Sequence, residues 1–185
     1  FRRVLFRSET MAPTDLAVRC REAENEFVGA QSGIMDPMVS LLGERGAALL
    51  LDCRTLDRRP VALPPGLRIV VCNSLVRHDL AAGEYNRRRA QCEEGVAALA
   101  RLDPAITALR DATREHLEAV RDRLDPVAWR RCRHVVAENR RVLDCAEALE
   151  AGDLARVGAL MAASHASLRD DFEASCPEQI GRAHV

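Results

Sequence analysis

The sequence contains no apolar run approaching the roughly twenty residues of a membrane-spanning helix, so no spanning segment is expected. An excess of charge is missing as well. With 27 basic and 28 acidic side chains the formal net charge is −1, which predicts no long-range attraction to nucleic acid or to an anionic membrane. A small-molecule partner is expected instead, and no obligate protein partner. No C-x-x-C pair occurs among the seven cysteines, Cys20, Cys53, Cys72, Cys92, Cys132, Cys145 and Cys176. They fall mostly within apolar faces and read as reduced core thiols, which favours a cytoplasmic location. A zinc site would need ligands clustered at short spacing, and none are. There is no internal repeat and no low-complexity tract. Aromatic residues make up only 3% of the chain, and Tyr85 is its one tyrosine. Against these absences, 48% hydrophobic residues in 185 suffice for a substantial core, in one domain or in parts of two.

The two ends differ from the rest in composition. Phe1–Ser8 (FRRVLFRS) and Ile180–Val185 (IGRAHV) lack usable periodicity. Codons exist for which the second string lies within the reverse complement of the first, the pattern of a sequencing adapter. Residues 1–8 and 180–185 are therefore expected to be adapter-derived extensions and are set aside.

Between them, Thr14 is positioned to cap a helix whose apolar positions Leu16, Ala17, Cys20, Ala23 and Phe27 recur at helical spacing, and Gly29 ends it. Ala47–Cys53 and Leu67–Asn73 read as buried strands, with a short edge strand within Val61–Leu63. The Leu-Pro-Pro-Gly stretch from Leu63 to Gly66 is the expected linker. Helices are predicted over Tyr85–Arg101, Thr113–Arg123, Pro126–Glu150 and Leu154–Leu168. Asp125 before Pro126 starts the third of these, Gly152 stops it, and Asp153 caps the next. Trp129, Cys132, Val135, Val136, Val142, Leu143, Ala146 and Leu149 trace the apolar face of the long helix.

The most informative string is Glu24–Asp36, ENEFVGAQSGIMD, which carries one carboxylate out of a glycine-broken turn into a short apolar helix. Gly33 would permit backbone angles that a side chain forbids. Asp36 falls in the first helical turn, where unpaired N–H groups and the helix dipole favour an ionised carboxylate. An Asp in that place commonly does no more than compensate the dipole. Pro37 lacks only an N–H that the first turn would not bond. Elsewhere, Arg87, Arg88 and Arg89 read as a solvated, ion-paired face. Ser164, His165, Arg169, Asp170 and Asp171 include the residue types of a hydrolytic triad without a nucleophile elbow to present the serine. His134 reads as a hydrogen-bonded structural histidine.

Taken whole, E-x-E-F-x-G-x-x-x-G-I-M-D resembles the segment bearing the catalytic Asp in galactokinases of the GHMP kinase family, and the likeness extends over most of the chain. It includes Ala48–Pro64, Val70–Glu94, Arg133–Val142 and Ser164–Glu178. The family's usual Cys and Gln are replaced by Ser32 and Pro37.

The resemblance implies an α+β, two-domain GHMP kinase fold truncated at both ends. Residues 9–64 would belong to the N-terminal domain and 65–179 to a partial, largely helical C-terminal domain. It implies transfer of the ATP γ-phosphate to the C1 hydroxyl of galactose, with ATP and Mg2+ as cofactors. Asp36 would be the catalytic carboxylate, Gly33 would offer its backbone to the sugar, and Tyr85 would contact the sugar, Ser74, Arg77 and Glu84 keeping the family's spacing around it. The serine-rich phosphate loop, the partner Arg of the catalytic Asp and the metal ligands have no counterpart in the sequence, so the chain alone is expected to be inactive. Two other readings share the motif: a GHMP kinase for another sugar, such as galacturonic acid or an amino sugar, and a non-catalytic galactose sensor. A purely structural helical module would be the reading without it.

Overall fold

The structure, a computed structural model, describes residues 11–29, 31–71 and 82–175. It divides into two compact units between Leu63 and Pro64.

The first unit opens with α1 (Pro13–Ala23), which widens into a π-helical turn over Glu24–Val28 and stops at Gly29, whose φ of 71° lies in the left-handed region. α2 (Met35–Leu42) packs against α1, and an antiparallel hairpin of β1 (Ala47–Leu51) and β2 (Arg58–Ala62) completes the unit. Its buried centre is Ala17, Ile34 and Met38, flanked by Val18, Leu42, Leu51 and Leu56. Pro60 sits in β2 opposite Leu49, and a strand tolerates proline where its absent N–H is not needed by a neighbour.

Three expectations for this unit are corrected. α1 begins at Pro13 after Ala12 without any side-chain cap; Thr14 lies inside the first turn, and its Oγ1 accepts from Arg58 Nη1 at 3.4 Å. Phe27 does not continue the apolar face of α1 but is 90% exposed. The wider π turn advances the chain by an extra residue, so positions beyond Ala23 lose phase with the face that buries Ala17. Of the expected edge strand at Val61–Leu63, the strand ends at Ala62 and begins earlier, at Arg58.

The second unit is helical among its described residues. α3 (Ala82–Ala100), α4 (Arg114–Ala119), α5 (Pro126–Glu150) and α6 (Leu154–Asp170) are joined by short 3-10 turns at Leu109–Asp111 and Arg121–Arg123. α5 is central and contacts α3, α4 and α6. Asp125 Oδ1 accepts from the Val127 and Ala128 N–H groups at 2.8 and 3.4 Å, and Asp153 Oδ1 from that of Arg156 at 3.0 Å, so both predicted caps form. Gly152 turns the chain between them at φ 69°. Leu99, Ile106, Leu117, Val120, Trp129 and Cys132 form the core.

Here too the sequence reading needs amendment. No strand forms over the described part of Leu67–Asn73, and Ile69, Val70 and Val71 are 75–89% exposed. A strand exists only through its ladder, and this unit's described residues offer no neighbouring strand. Asn73 lies outside the described residues. Val142 and Leu143, assigned to the apolar face of α5, are nearly half exposed. That half of α5 meets α6 through polar contacts, Ser164 to Glu138 and Arg156 to Asp144. Of the cysteines, Cys132 is buried, Cys92 and Cys145 are half-buried, and Cys20 and Cys53 are exposed rather than core; none of the five forms a disulfide. Cys72 and Cys176 lie outside the described residues.

The α3–α5 crossing is close because of Gly95. A Cβ at that position would stand 2.1 Å from Cys132 Sγ, itself fully buried. Gly95→Ala is therefore expected to cost about 1–3 kcal/mol, read as a lower urea midpoint. Adding Cys132→Ala, which removes the sulfur, should recover most of that loss. An unchanged penalty in the double variant would mean that the crossing does not set it.

Candidate functional site

Asp36 stands in the first turn of α2, one residue past Met35, with an exposed carboxylate that takes no hydrogen bond or ion pair among the described residues. Buried Ile34 and Met38 on either side anchor the turn, and the Met38 N–H bonds the Ile34 carbonyl at 3.1 Å. The carboxylate is thus held on a fixed backbone while facing solvent.

The loop that delivers it is tied back to the π turn. Ser32 Oγ lies 2.6 Å from Glu24 Oε2 and 3.3 Å from Asn25 Oδ1. A hydroxyl has one proton to donate, and the shorter contact with the carboxylate takes it. The first and ninth residues of the motif therefore close its loop, a role for Ser32 that the sequence reading noted only as a departure from the family's cysteine. The signal was the glutamate eight residues upstream, which only the fold makes a neighbour.

Gly33 does not have the unusual backbone angle expected of it. Among the described residues the glycines with positive φ are Gly29, Gly46, Gly66 and Gly152. A Cβ at Gly33 would meet nothing within 4 Å. Neither backbone strain nor packing among the described residues requires a glycine there; what the missing side chain leaves is open space. The structure therefore brings Gly33 and Asp36 together on one loop–helix junction.

Tyr85 is in the second unit, in the first turn of α3, and is 53% exposed. Glu84 beside it pairs with Arg87 at 3.0 Å and with Arg88 at 3.6 Å. Ser74 and Arg77 lie outside the described residues. Of the arginine run, Arg87 and Arg89 make the expected exposed i,i+3 and i,i+4 pairs, the latter with Glu93 at 3.0 Å. Arg88 does not belong to that face. Its side chain is 19% exposed, and it donates to the carbonyls of Phe172 and Glu173 at 3.0 and 2.6 Å.

That contact belongs to a cluster which periodicity did not reveal. Arg131, 2% exposed, donates from Nη1 to the Asp171 carbonyl at 2.5 Å, from Nη2 to Glu173 Oε2 at 2.6 Å, and from Nε to Gln91 Oε1 at 3.4 Å. Arg130 reaches the other oxygen of Glu173 at 3.0 Å, and Arg133 pairs with Asp171. The hydrogen bonds from Arg131 and then Arg130 hold the Glu173 carboxyl below the usual carboxylate range. Arg133 and Arg121 also stack on the Trp129 ring, 4.7 and 4.8 Å from its centroid. Four arginines from α3 and α5 thus grip the chain where it leaves α6.

The serine and one aspartate considered for a triad are engaged by other partners. Ser164 Oγ donates to Glu138, and Asp170 pairs with Arg169. His134 is the structural histidine expected of it: buried, 2.9 Å from Ser167 Oγ and stacked on Phe172 with ring centroids 4.7 Å apart. Ser167 in turn lies 3.1 Å from Asp171 Oδ2. Asp171 can only accept, so the hydroxyl proton points to it and His134 Nδ1 carries the hydrogen donated to Ser167. Burial, the main cause, lowers the pKa of His134.

No family model matches the chain. Its architecture is matched among solved structures by a sugar kinase, in keeping with a helix-dominated α+β fold that carries a small sheet. That protein is the galactokinase of Lactococcus lactis, solved in complex with galactose, with a TM-score of 0.82 and 31% sequence identity. The match covers 92% of this chain and 44% of the galactokinase, so the chain spans less than half of that enzyme's length. The likeness to galactokinases carried by the motifs is thus also a likeness of structure.

Two outcomes test the cluster. Arg131→Lys keeps the charge but not the three-way fork, and should cost about 2 kcal/mol with faster amide exchange around Asp171–Glu173; unchanged exchange there would remove the clamp from the account. For His134, the folded state resists protonation, so the unfolded state binds more protons below its ordinary pKa of about 6.5. Stability contributed by neutral His134 is complete above that pH and declines as pH falls through the lower, folded value. The melting temperature should drop between pH 7.5 and 5.5, and the drop should shrink in His134→Gln.

Proposed function

We propose that the whole protein is a galactokinase, which transfers the γ-phosphate of ATP to the C1 hydroxyl of galactose. The observation that carries this reading is the structural match to a galactokinase solved with galactose, over 92% of the chain, taken with the exposed carboxylate of Asp36 in the first turn of α2. The division of the chain between Leu63 and Pro64 supports assigning residues 9–64 and 65–179 to parts of the two GHMP kinase domains.

Asp36 orients the sugar hydroxyl for attack and accepts its proton late in the transfer. A carboxylate is a weak base toward a sugar hydroxyl, but a loose phosphoryl-transfer transition state demands little base strength and rewards positioning. The loop closed by Ser32 and Glu24 and the buried anchors Ile34 and Met38 supply that positioning. Gly33 lets a sugar approach the backbone without meeting a side chain, and Tyr85 offers a phenol to a sugar hydroxyl from the start of α3.

Among the described residues no group of three or more His, Cys, Asp or Glu side chains converges to hold a metal ion. The sequence carries no serine-rich phosphate loop, and we assign the ATP and Mg2+ ligands to the part of a galactokinase that this chain does not span. The isolated chain is accordingly assigned no turnover of its own. Among the described residues no helix is long and apolar enough to cross a membrane, and five cysteines that form no disulfide support a reducing cytoplasm.

The test is a kinase assay on the whole protein with ATP, Mg2+ and a panel of sugars. Galactose should be the preferred acceptor, and Asp36→Asn should lower kcat by about 100-fold or more with circular dichroism unchanged. Preference for galacturonic acid or galactosamine would reassign the substrate. Galactose binding without any transfer would make the protein a sensor. Transfer by the isolated chain above its Asp36→Asn control would overturn the assignment of the ATP ligands.

A further inference from the structure

Two thiols that the kinase chemistry does not use meet inside the helical unit. Cys92 on α3 packs against the core cluster that contains Cys132 of α5. Cys132 Sγ lies 4.0 Å from the carbonyl oxygen of Gln91, the residue before Cys92, and would overlap a Cβ at Gly95. Cys92 and Gly95 are three residues apart and share a face of α3, so the Cys132 sulfur rests on the face from which Cys92 projects. A disulfide needs Cα atoms within about 7 Å, an approach between helices that a glycine permits and a larger residue would block.

The two thiols differ in reach and in reactivity. Cys132 is fully buried and Cys92 is partly exposed, so an oxidant in solution meets Cys92 first. A hydrogen bond from Cys132 holds the Cys92 thiol below its ordinary pKa, against burial, with the charge of Arg131 adding to it and that of Glu93 opposing. The same hydrogen bond and burial push the Cys132 thiol up. The thiolate is the nucleophilic form of cysteine, and here it falls on the sulfur that solvent can reach.

We propose that Cys92 and Cys132 are a redox-modification site for hydrogen peroxide, with Cys92 as the thiol oxidised and Cys132 as the thiol that resolves it. The Cys92 sulfur attacks one peroxide oxygen; an S–O bond forms, the O–O bond breaks, and the departing hydroxide takes a proton from solvent to become water. Cys132 then gives up its proton and its sulfur attacks that of Cys92; the S–S bond forms, the S–O bond breaks, and the second hydroxide leaves with that proton as water. Two electrons pass from the sulfurs to one peroxide. The product ties α3 to α5 covalently, and a thiol reductant reverses it. The site stands apart from the sugar chemistry assigned to Asp36 and does not depend on it.

The test uses the full chain, reduced and then treated with stoichiometric hydrogen peroxide, with the remaining thiols alkylated and the peptides mapped by mass spectrometry. The expected product is a monomer in which the Cys92 and Cys132 peptides are linked, the link being lost on addition of dithiothreitol. Cys132→Ser should abolish the link and leave a Cys92 sulfenic acid that dimedone labels severalfold more than in the unsubstituted chain. Cys92→Ser should leave Cys132 reduced. Oxidation of the exposed Cys20 or Cys53 while Cys92 and Cys132 remain open to alkylation would overturn the proposal. A link from either thiol to another cysteine, or equal dimedone labelling of Cys92 with and without Cys132, would do the same. The link is read in the unsubstituted chain, so the test stands even where a variant fails to fold.

Discussion

The helical unit depends on a buried positive charge. Arg131 sits in the middle of α5 at 2% exposure, and a guanidinium removed from water is tolerated only when its donors and its charge are met. Gln91 from α3, the Asp171 carbonyl and Glu173 meet them. One side chain on the central helix therefore joins α3 to the residues that follow α6. Such a group is weak evidence for net stability, since an apolar replacement of equal shape can do as well. What it does is tie three segments together, and Arg88, Arg130 and Arg133 add further contacts to the residues after α6.

How much of this could be read in advance depended on the range of the interaction. Asp125, Gly152 and Asp153 act on the backbone within three residues, and they set both ends of α5 and the start of α6 where the sequence placed them; α6 itself runs two residues past the expected Leu168. Arg131 acts over forty residues, and in the sequence it is one arginine within a basic stretch. The π turn at Glu24–Val28 defeated helical phase counting, which assumes a constant 3.6 residues per turn, and Phe27 fell on the wrong side. Leu67–Val71 has the composition of a strand, but composition cannot supply the ladder that makes one.

The candidate site was legible in its residues and not in its mechanics. Asp36 could be placed in a first helical turn from the glycine, the proline and the apolar spacing around it. What holds it there, Ser32 bonded back to Glu24, needed the fold. Gly33 reversed its meaning: the reason given for a glycine was an unusual backbone angle, and the structure replaced it with empty space.

The ion pairs described above have a property in common that lies in composition. All 27 basic residues are arginine; the chain contains no lysine. A lysine-based network would begin to lose protons near pH 10.4, whereas arginine keeps its charge beyond pH 12. The positive side of every bridge is thus constant over the whole range in which proteins are handled. Protonation of its acids and histidines, rather than loss of a proton from its bases, governs how these contacts respond to pH, and alkali leaves the grip on the chain after α6 fully charged.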